Sequence, residues 1–285
     1  MKVARTHAEL DAALGDFRRA GQTIGLVPTM GALHEGHLSL IRIAKKRADI
    51  VVLSLFVNPL QFSDPEDLAS YPRDDERDLD LASSKGCDVV FQPPLTEMYP
   101  QGTAVMVSVG PPLTEILEGS ARPGHFDGVA TVVAKLFNAA RPDVVFFGQK
   151  DAQQVAVIRQ LIAGLSYPIK LVVCPTVRDP DGLALSSRNE RLSADDRMAA
   201  RSLYRALQDG ERVLAGGGDI EIAEKEMRAT LSSTQGVLPD YARAVDPDTF
   251  LSPTGDRILL VVAAHVGPVR LIDNKLIELA GPGGG

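Results

Sequence analysis

The chain is poor in cysteine, in excess positive charge and in long apolar runs. Only two cysteines, Cys87 and Cys174, occur in 285 residues. Both sit in apolar stretches, "KGCDVVF" and "KLVVCPTV", where a free thiol is ordinarily buried. Two thiols in a chain of this length give neither a zinc spacing nor a disulfide scaffold. Acidic residues outnumber basic ones, 37 to 30, for a net charge of −7. That balance argues against a broad nucleic-acid-binding face, yet it permits a local cationic pocket around an anionic ligand. No run approaches the ~18 apolar residues of a membrane span, and "MKVARTHAEL" lacks the apolar core of a signal peptide. A cytoplasmic protein with no membrane or nucleic-acid partner is expected. What is present is an ordinary globular composition, 45% hydrophobic and 24% charged, enough for one large core or two smaller ones.

Thr6-x-x-Glu9 predicts a capping box opening a helix over "AELDAALGDFRRAG". A buried strand, "TIGLVPT", follows, then a helix over 36–47 with Leu38, Ile41 and Ala44 inward. "DIVVLSLFV" is apolar on both faces, as a covered parallel strand requires. The alternation continues with helix 73–85, strand "DVVFQP", helix "GVATVVAKLFNAA", strand "DVVFFG", helix "QVAVIRQLIAGL" and strand "IKLVVCPTV". This predicts an α/β domain over residues 1–176, a Rossmann-like parallel sheet of five or six strands, too few for an eight-stranded barrel. From 177 to 285, two consecutive helices and then two or three strands predict a smaller α+β domain. The boundary falls in "PTVRDPDGLALSSRN", and the tail "AGPGGG" is expected to be disordered.

The stretch "PTMGALHEGHLSL", residues 28–40, lies where a strand ends and a helix begins. Its Gly31-x-x-x-x-Gly36 has the spacing of a P-loop, but His37 and Leu38 follow where a P-loop needs a lysine and a hydroxyl. That reading fails. His34 and His37 are three apart and can face one side of the first helical turn. Gly36 between them removes a side chain, so a base or a phosphate can reach the backbone. The helix N-terminus adds free N–H groups and partial positive charge. Two imidazoles at a helix end thus make an anion site without a lysine. Three further turns carry polar groups. "FVNPLQF", residues 56–62, places the amides of Asn58 and Gln61 after the central strand, where they can hydrogen-bond a hydroxy acid. "FFGQKDAQQ", residues 146–154, places Lys150 between a strand end and a helix start. "LSSRN", residues 185–189, offers two hydroxyls and a guanidinium in succession, a set suited to clamping phosphate.

Together these motifs resemble the HxGH nucleotidylyltransferase superfamily, which includes the class I aminoacyl-tRNA synthetases. Within it, the chain from the first strand to "RLIDN" closely resembles the pantoate–β-alanine ligase (pantothenate synthetase) family. The resemblance implies a ligase that takes ATP as substrate, with Mg²⁺, and joins pantoate to β-alanine through a pantoyl adenylate. It implies catalytic roles on the phosphates for His34, His37, Lys150 and Arg188. It implies ATP contacts from Pro28, Thr29, Met30, Gly36, Gly148, Asp151, Val177, Ser186 and Ser187. The Ser-Ser-Arg loop is similar to the synthetase KMSKS loop and would close over the triphosphate, making 177–285 a lid. Gln61 and Gln154 would hold pantoate from opposite sides, with Asn58 in the same pocket. Arg122 and His125, in the loop "ARPGHFDGV" before a helix, would lie near the acid-binding end. Asp78, in "RDDERDLDL", aligns with a family position linked to Mg²⁺; neighbouring acids could serve equally, or the run could be a solvated helix face. Gln149 and Ala152 stand where the family commonly has an acidic and an aromatic residue. A homodimer is implied as well. Two other readings compete: another HxGH adenylyltransferase, which would need a cationic acceptor pocket where this chain offers amides, and a nucleotide sensor without turnover.

Overall fold

The computed structural model describes residues 1–102 and 105–279, so the tail expected to be disordered lies outside the described residues. The chain forms two compact units. The first comprises 1–148 and 157–175; the second comprises 149–156 and the chain from Thr176 onward.

The first unit opens with β1 (Lys2–Ala4), a strand the sequence reading does not contain. Three residues carry too little periodicity to register as a strand. Thr6 then caps α1 (His7–Arg19): its hydroxyl accepts from the Glu9 amide while the Glu9 carboxylate accepts from the Thr6 amide, the expected capping box. β2 (Ile24–Thr29), α2 (Glu35–Lys45) and β3 (Ile50–Leu55) follow. Every residue of β3 is buried, which is why its sequence is apolar on both faces. Beyond it come α3 (Pro65–Ala69), α4 (Asp75–Ser84), β4 (Val89–Phe91), α5 (Leu95–Met98), α6 (Glu118–Ala121) and α7 (His125–Ala140). β5 (Val144–Gly148), α8 (Ala152–Gly164) and β6 (Lys170–Cys174) complete the alternation.

The six strands form one parallel sheet in the order β1-β4-β3-β2-β5-β6. Val27, Leu38, Ile41, Leu53, Val90 and Phe146 belong to one buried cluster of this unit. From β2 the chain builds outward through β3 and β4, then returns to lay β5 and β6 on the other side. The order therefore reverses between β2 and β5. In open α/β sheets ligands bind outside the carboxyl ends of the strands at such a reversal. The loops after β2 and β3 leave the sheet at that edge.

In the second unit a hairpin closes over residues 177–185, with the Leu185 amide donating to the Val177 carbonyl and the Asp179 amide to the Leu183 carbonyl. It leads to α9 (Ala194–Ala215) and α10 (Ile220–Ser232), then to β7 (Val237–Val245), β8 (Arg257–Val266) and β9 (Val269–Glu278). The strands form an antiparallel sheet in sequence order. β7 starts at Val237, two residues before the expected start, and its register shifts between Pro239 and Tyr241, where proline has no N–H for the ladder. Leu203, Leu207, Met227, Leu260 and Val262 form part of this unit's own core. The Rossmann-like sheet and the smaller α+β part are as expected. Both cysteines are free and buried, and among the described residues no helix is long and apolar enough to cross a membrane.

Candidate active site

The loop after β2 is built by two left-handed residues in succession, Gly31 at φ 84° and Ala32 at φ 50°. Gly31 is required there twice over. Its φ is one that L side chains rarely adopt, and a Cβ would sit 2.9 Å from Asp78 Oδ2. Asp78, on α4, is 2% exposed. Its two carboxylate oxygens accept from the backbone amides of Ala32 and Leu33, each at 2.7 Å. This buried carboxylate therefore sets the turn. Burial pushes its pKa up, against the pull of the Leu33 and Ala32 amides.

The turn delivers His34 and His37. His34, not Gly36, begins the structure of α2: it is the N-cap, and its Nδ1 accepts from the Gly36 amide at 3.1 Å. His37 Nδ1 accepts in return from the His34 amide at 3.4 Å. The rings lie 4.1 Å apart, inclined by 32°. An imidazole that accepts at Nδ1 carries its proton, when neutral, on Nε2. The two histidines are thus fixed as a capping pair with an N–H at the distal end of each ring. Upstream, Thr29 is tied to β3, its hydroxyl donating to the Ser54 carbonyl at 2.6 Å. Pro28, Thr29 and Met30 are all half-buried.

Gln61 closes a 3-10 turn, Pro59–Gln61, after β3. Its Nε2 meets Met30 Sδ at 2.9 Å, so the loops after β2 and β3 are joined. Asn58 is 1% exposed. Its Nδ2 donates to the Gly128 carbonyl at 3.0 Å and to Gln61 Oε1 at 3.3 Å, and its Oδ1 accepts from the Tyr99 hydroxyl at 2.9 Å and from the Leu60 amide. Asn58 therefore supports Gln61 from beneath. His125 is the first residue of α7 rather than part of the preceding loop, because Gly124 takes up the left-handed turn at φ 78°. Its Nδ1 donates to the Gln61 carbonyl at 2.7 Å, while its Nε2 accepts from Arg122, 3.1 Å away. Arg122 also reaches the Gln61 carbonyl at 3.3 Å. Arg122, His125, Asn58 and Gln61 are thus one cluster.

In the second unit, Lys150 lies in a 3-10 turn, Gln149–Asp151, directly after β5 and before α8. Its Nζ is 3.2 Å from Asp151 Oδ1, and its side chain is 21% exposed. Gln154 follows on α8, half-buried, and Gly148 ends β5. Ser186 caps the 3-10 turn Ser187–Arg191, its hydroxyl accepting from the Arg188 amide at 3.3 Å. Val177 opens the hairpin that delivers this turn.

The donors suit anions and hydroxyls rather than a protein-held metal. Among the described residues no group of three or more His, Cys, Asp or Glu could hold a metal ion. Both oxygens of Asp78 are already engaged by backbone amides. A single carboxylate of this kind could meet Mg²⁺ only alongside oxygens that a ligand brings. The sequence reading missed Tyr99 and Gly128. The Tyr99 phenol, pushed up by burial to about 12, stays a donor to Asn58. A Cβ on Gly128 would lie 2.2 Å from the Leu60 carbonyl oxygen, so α7 touches the Gln61 turn backbone to backbone. Gly128 sits inside an expected helix, where a lone glycine is a signal for close approach; Tyr99 gave no signal.

Comparison with known proteins places the whole chain. The pattern of the family described as pantoate-beta-alanine ligase matches residues 2–276. Pantothenate synthetase of Moorella thermoacetica is 47% identical over 282 residues, covering 98% of this chain and 99% of the relative. That of Chloroflexus aurantiacus (strain ATCC 29366 / DSM 635 / J-10-fl) is 50% identical over 282 residues, with the same coverage. The crystal structure of pantothenate synthetase from Thermus thermophilus matches with a TM-score of 0.91 at 45% identity, over 96% of this chain and 99% of that one. A pantoate-beta-alanine ligase from Francisella tularensis, complexed with beta-gamma ATP and beta-alanine, matches with a TM-score of 0.81 at 37% identity, over 97% of each chain.

Proposed function

Because the chain belongs to the pantoate–beta-alanine ligase family, we propose that it joins pantoate to β-alanine, cleaving ATP to AMP and pyrophosphate by way of a pantoyl adenylate. A carboxylate is a poor electrophile, so it must first acquire a leaving group. An oxygen of the pantoate carboxylate attacks the α-phosphorus of ATP, and the bond to pyrophosphate breaks. The β-alanine amine then attacks the acyl carbon, an amide bond forms, and AMP leaves with the electron pair of the C–O bond.

Such a reaction asks the protein for alignment and for positive charge where negative charge develops. His34 and His37 would donate from Nε2 to phosphate oxygens, aided by the α2 N-terminus. Lys150 and Arg188 would neutralise the departing pyrophosphate. Ser186 and Ser187 would hydrogen-bond phosphate oxygens, with Pro28, Thr29, Met30, Gly36, Gly148, Asp151 and Val177 along the nucleotide. Gln61 and Gln154 would orient pantoate, with Arg122 and His125 toward its acid end and Asn58 holding Gln61. Mg²⁺ would come on the triphosphate, where it supplies charge neutralisation, since it is normally bound by few protein oxygens together with substrate phosphates. A cytoplasmic homodimer is part of the same proposal.

One observation carries this reading: a rigid histidine pair caps the helix that leaves the sheet at its order reversal, beside a glutamine cluster suited to a hydroxy acid. The test is to incubate the chain with ATP, Mg²⁺, pantoate and β-alanine and identify the products by mass spectrometry. AMP and pantothenate are expected, with pyrophosphate released on pantoate alone. ADP with inorganic phosphate, or pyrophosphate release that ignores pantoate but responds to a phosphorylated acceptor, would refute it.

A further inference from the structure

The second unit contains a buried polar chain that ends on the backbone of the Lys150 turn. Asn274, on β9, is 5% exposed. Its Nδ2 donates to the carbonyl of Gln149 at 3.0 Å and to that of Lys150 at 2.8 Å. Its Oδ1 accepts from Gln149 Nε2 at 3.1 Å, which fixes the amide's orientation, because a reversed amide would set NH₂ against NH₂. Next to it, Asp273 is 4% exposed. Its two oxygens receive both terminal nitrogens of Arg178, at 2.6 and 2.9 Å, and Oδ1 also receives the Asn274 amide at 2.8 Å. Arg178 further donates to the carbonyls of Gly182 and Asn274, and its guanidinium lies 4.1 Å from the centre of the Tyr204 ring.

Arg178 belongs to the hairpin over residues 177–185 that leads straight into Ser186, Ser187 and Arg188. One unbroken set of hydrogen bonds therefore runs from the carbonyls of the Lys150 turn, through Asn274, Asp273 and Arg178, to the segment that carries the serine–arginine turn. A two-residue piece of one strand governs both. A buried pair of this kind is weak as a source of net stability, since desolvation offsets much of its attraction; what it provides is fixed geometry.

We propose that Asn274 is a positioning residue for Lys150, and that the Asp273–Arg178 pair holds the Lys150 turn and the Ser186–Arg188 turn in a single register. This rests on the assignment of Lys150 to the phosphates of ATP. The test measures pantoate-dependent pyrophosphate release in Asn274→Asp, alone and combined with Lys150→Ala. Asp keeps the volume of Asn but turns an oxygen toward two carbonyls. The single variant is expected to lose kcat by about 10–100-fold, the scale of a displaced catalytic group, with the KM for pantoate within about twofold. In the Lys150→Ala background the same change is expected to cost nothing further. Losses that multiply, or a wild-type kcat in the single variant, overturn the proposal. Gln149→Ala, which disturbs no core packing, is the second variant; it frees the amide to turn, and a smaller loss that again vanishes without Lys150 is expected. Acylation of the Lys150 amine, read by peptide mapping, supplies a measure independent of turnover. It should be faster in both variants than in the wild type, and unchanged labelling counts against the proposal. Near-normal turnover by Lys150→Ala alone would instead refute the phosphate assignment, leaving the labelling result to decide on the network.

Discussion

Asp78 places a carboxyl group where charge is expensive. Burial pushes its carboxyl above the usual range. The folded chain therefore takes up this proton at higher pH than the unfolded chain, and the group's contribution to stability falls as pH rises through that interval. The ionised form costs stability, and what the carboxyl group provides is the double left-handed turn ahead of His34. Asp78→Asn should accordingly change Tm by only a few degrees. It loses one charge-assisted bond to the loop, worth about 1.5–3 kcal/mol, so the KM for ATP should rise tenfold or more. A large fall in Tm with an unchanged KM would show that the carboxylate serves stability alone. The cysteines give a cleaner sign. Burial pushes the Cys87 thiol up to about 12 and that of Cys174 to about 11. At pH 8 the reactive thiolate is then on the order of 10⁻³ of the thiol or less. An aromatic disulfide reagent should leave the native chain untouched at pH 8 and titrate both thiols once denaturant is added; stoichiometric reaction before unfolding would contradict this burial.

Elements with a strong period were legible before any coordinates. The alternation of "TIGLVPT", 36–47 and "DIVVLSLFV" predicts β2, α2 and β3, and the capping box of Thr6 and Glu9 is present as written. Boundaries were less legible, because they depend on which side chain caps. α2 starts at Glu35 because His34 takes the capping role that sequence statistics give to Ser, Thr, Asp or Asn. α7 reaches back to His125, three residues beyond the expected start, and that shift puts the imidazole on the Gln61 carbonyl. The approach of α7 to the Pro59–Gln61 turn has a sharp consequence. An added methyl at Gly128 would meet the Leu60 carbonyl at 2.2 Å and the Gln61 amide nitrogen at 2.7 Å, neither of which is a side chain that can swing away. Gly128→Ala should therefore destabilise the chain by about 1–3 kcal/mol, the ordinary cost of overpacking, and raise the KM for pantoate through displacement of Gln61. Chemical denaturation and steady-state kinetics on the same preparation check both; an unchanged KM would separate Gln61 from pantoate.

Across the whole molecule, the order of the motifs was readable because each lies just after a strand, or after a hairpin, in an α/β alternation. Several of their supports were not readable for one shared reason: the partner is a backbone group. Asp78 answers two amides, Asn274 two carbonyls, His125 and Arg122 the carbonyl of Gln61. Backbone atoms leave no letter in a sequence, so such contacts cannot be inferred from residue types. The groups assigned to the triphosphate are divided between the units, His34 and His37 in the first, Lys150 and Arg188 in the second. The chain as a whole is acidic, with net charge −7, so these cations are not a product of composition. If the charge on pyrophosphate develops mainly in the transition state, removing one such cation should cost rate more than affinity. Lys150→Ala should lower pantoate-dependent pyrophosphate release about 10²–10³-fold, as loss of a single preorganised charge-stabilising donor does. The KM for pantoate should stay near its original value. Rapid-quench measurement of the first turnover isolates this step from amide formation. A first-turnover rate near that of the unaltered chain would remove Lys150 from the chemistry and leave the histidine pair of the first unit to stabilise the leaving group alone.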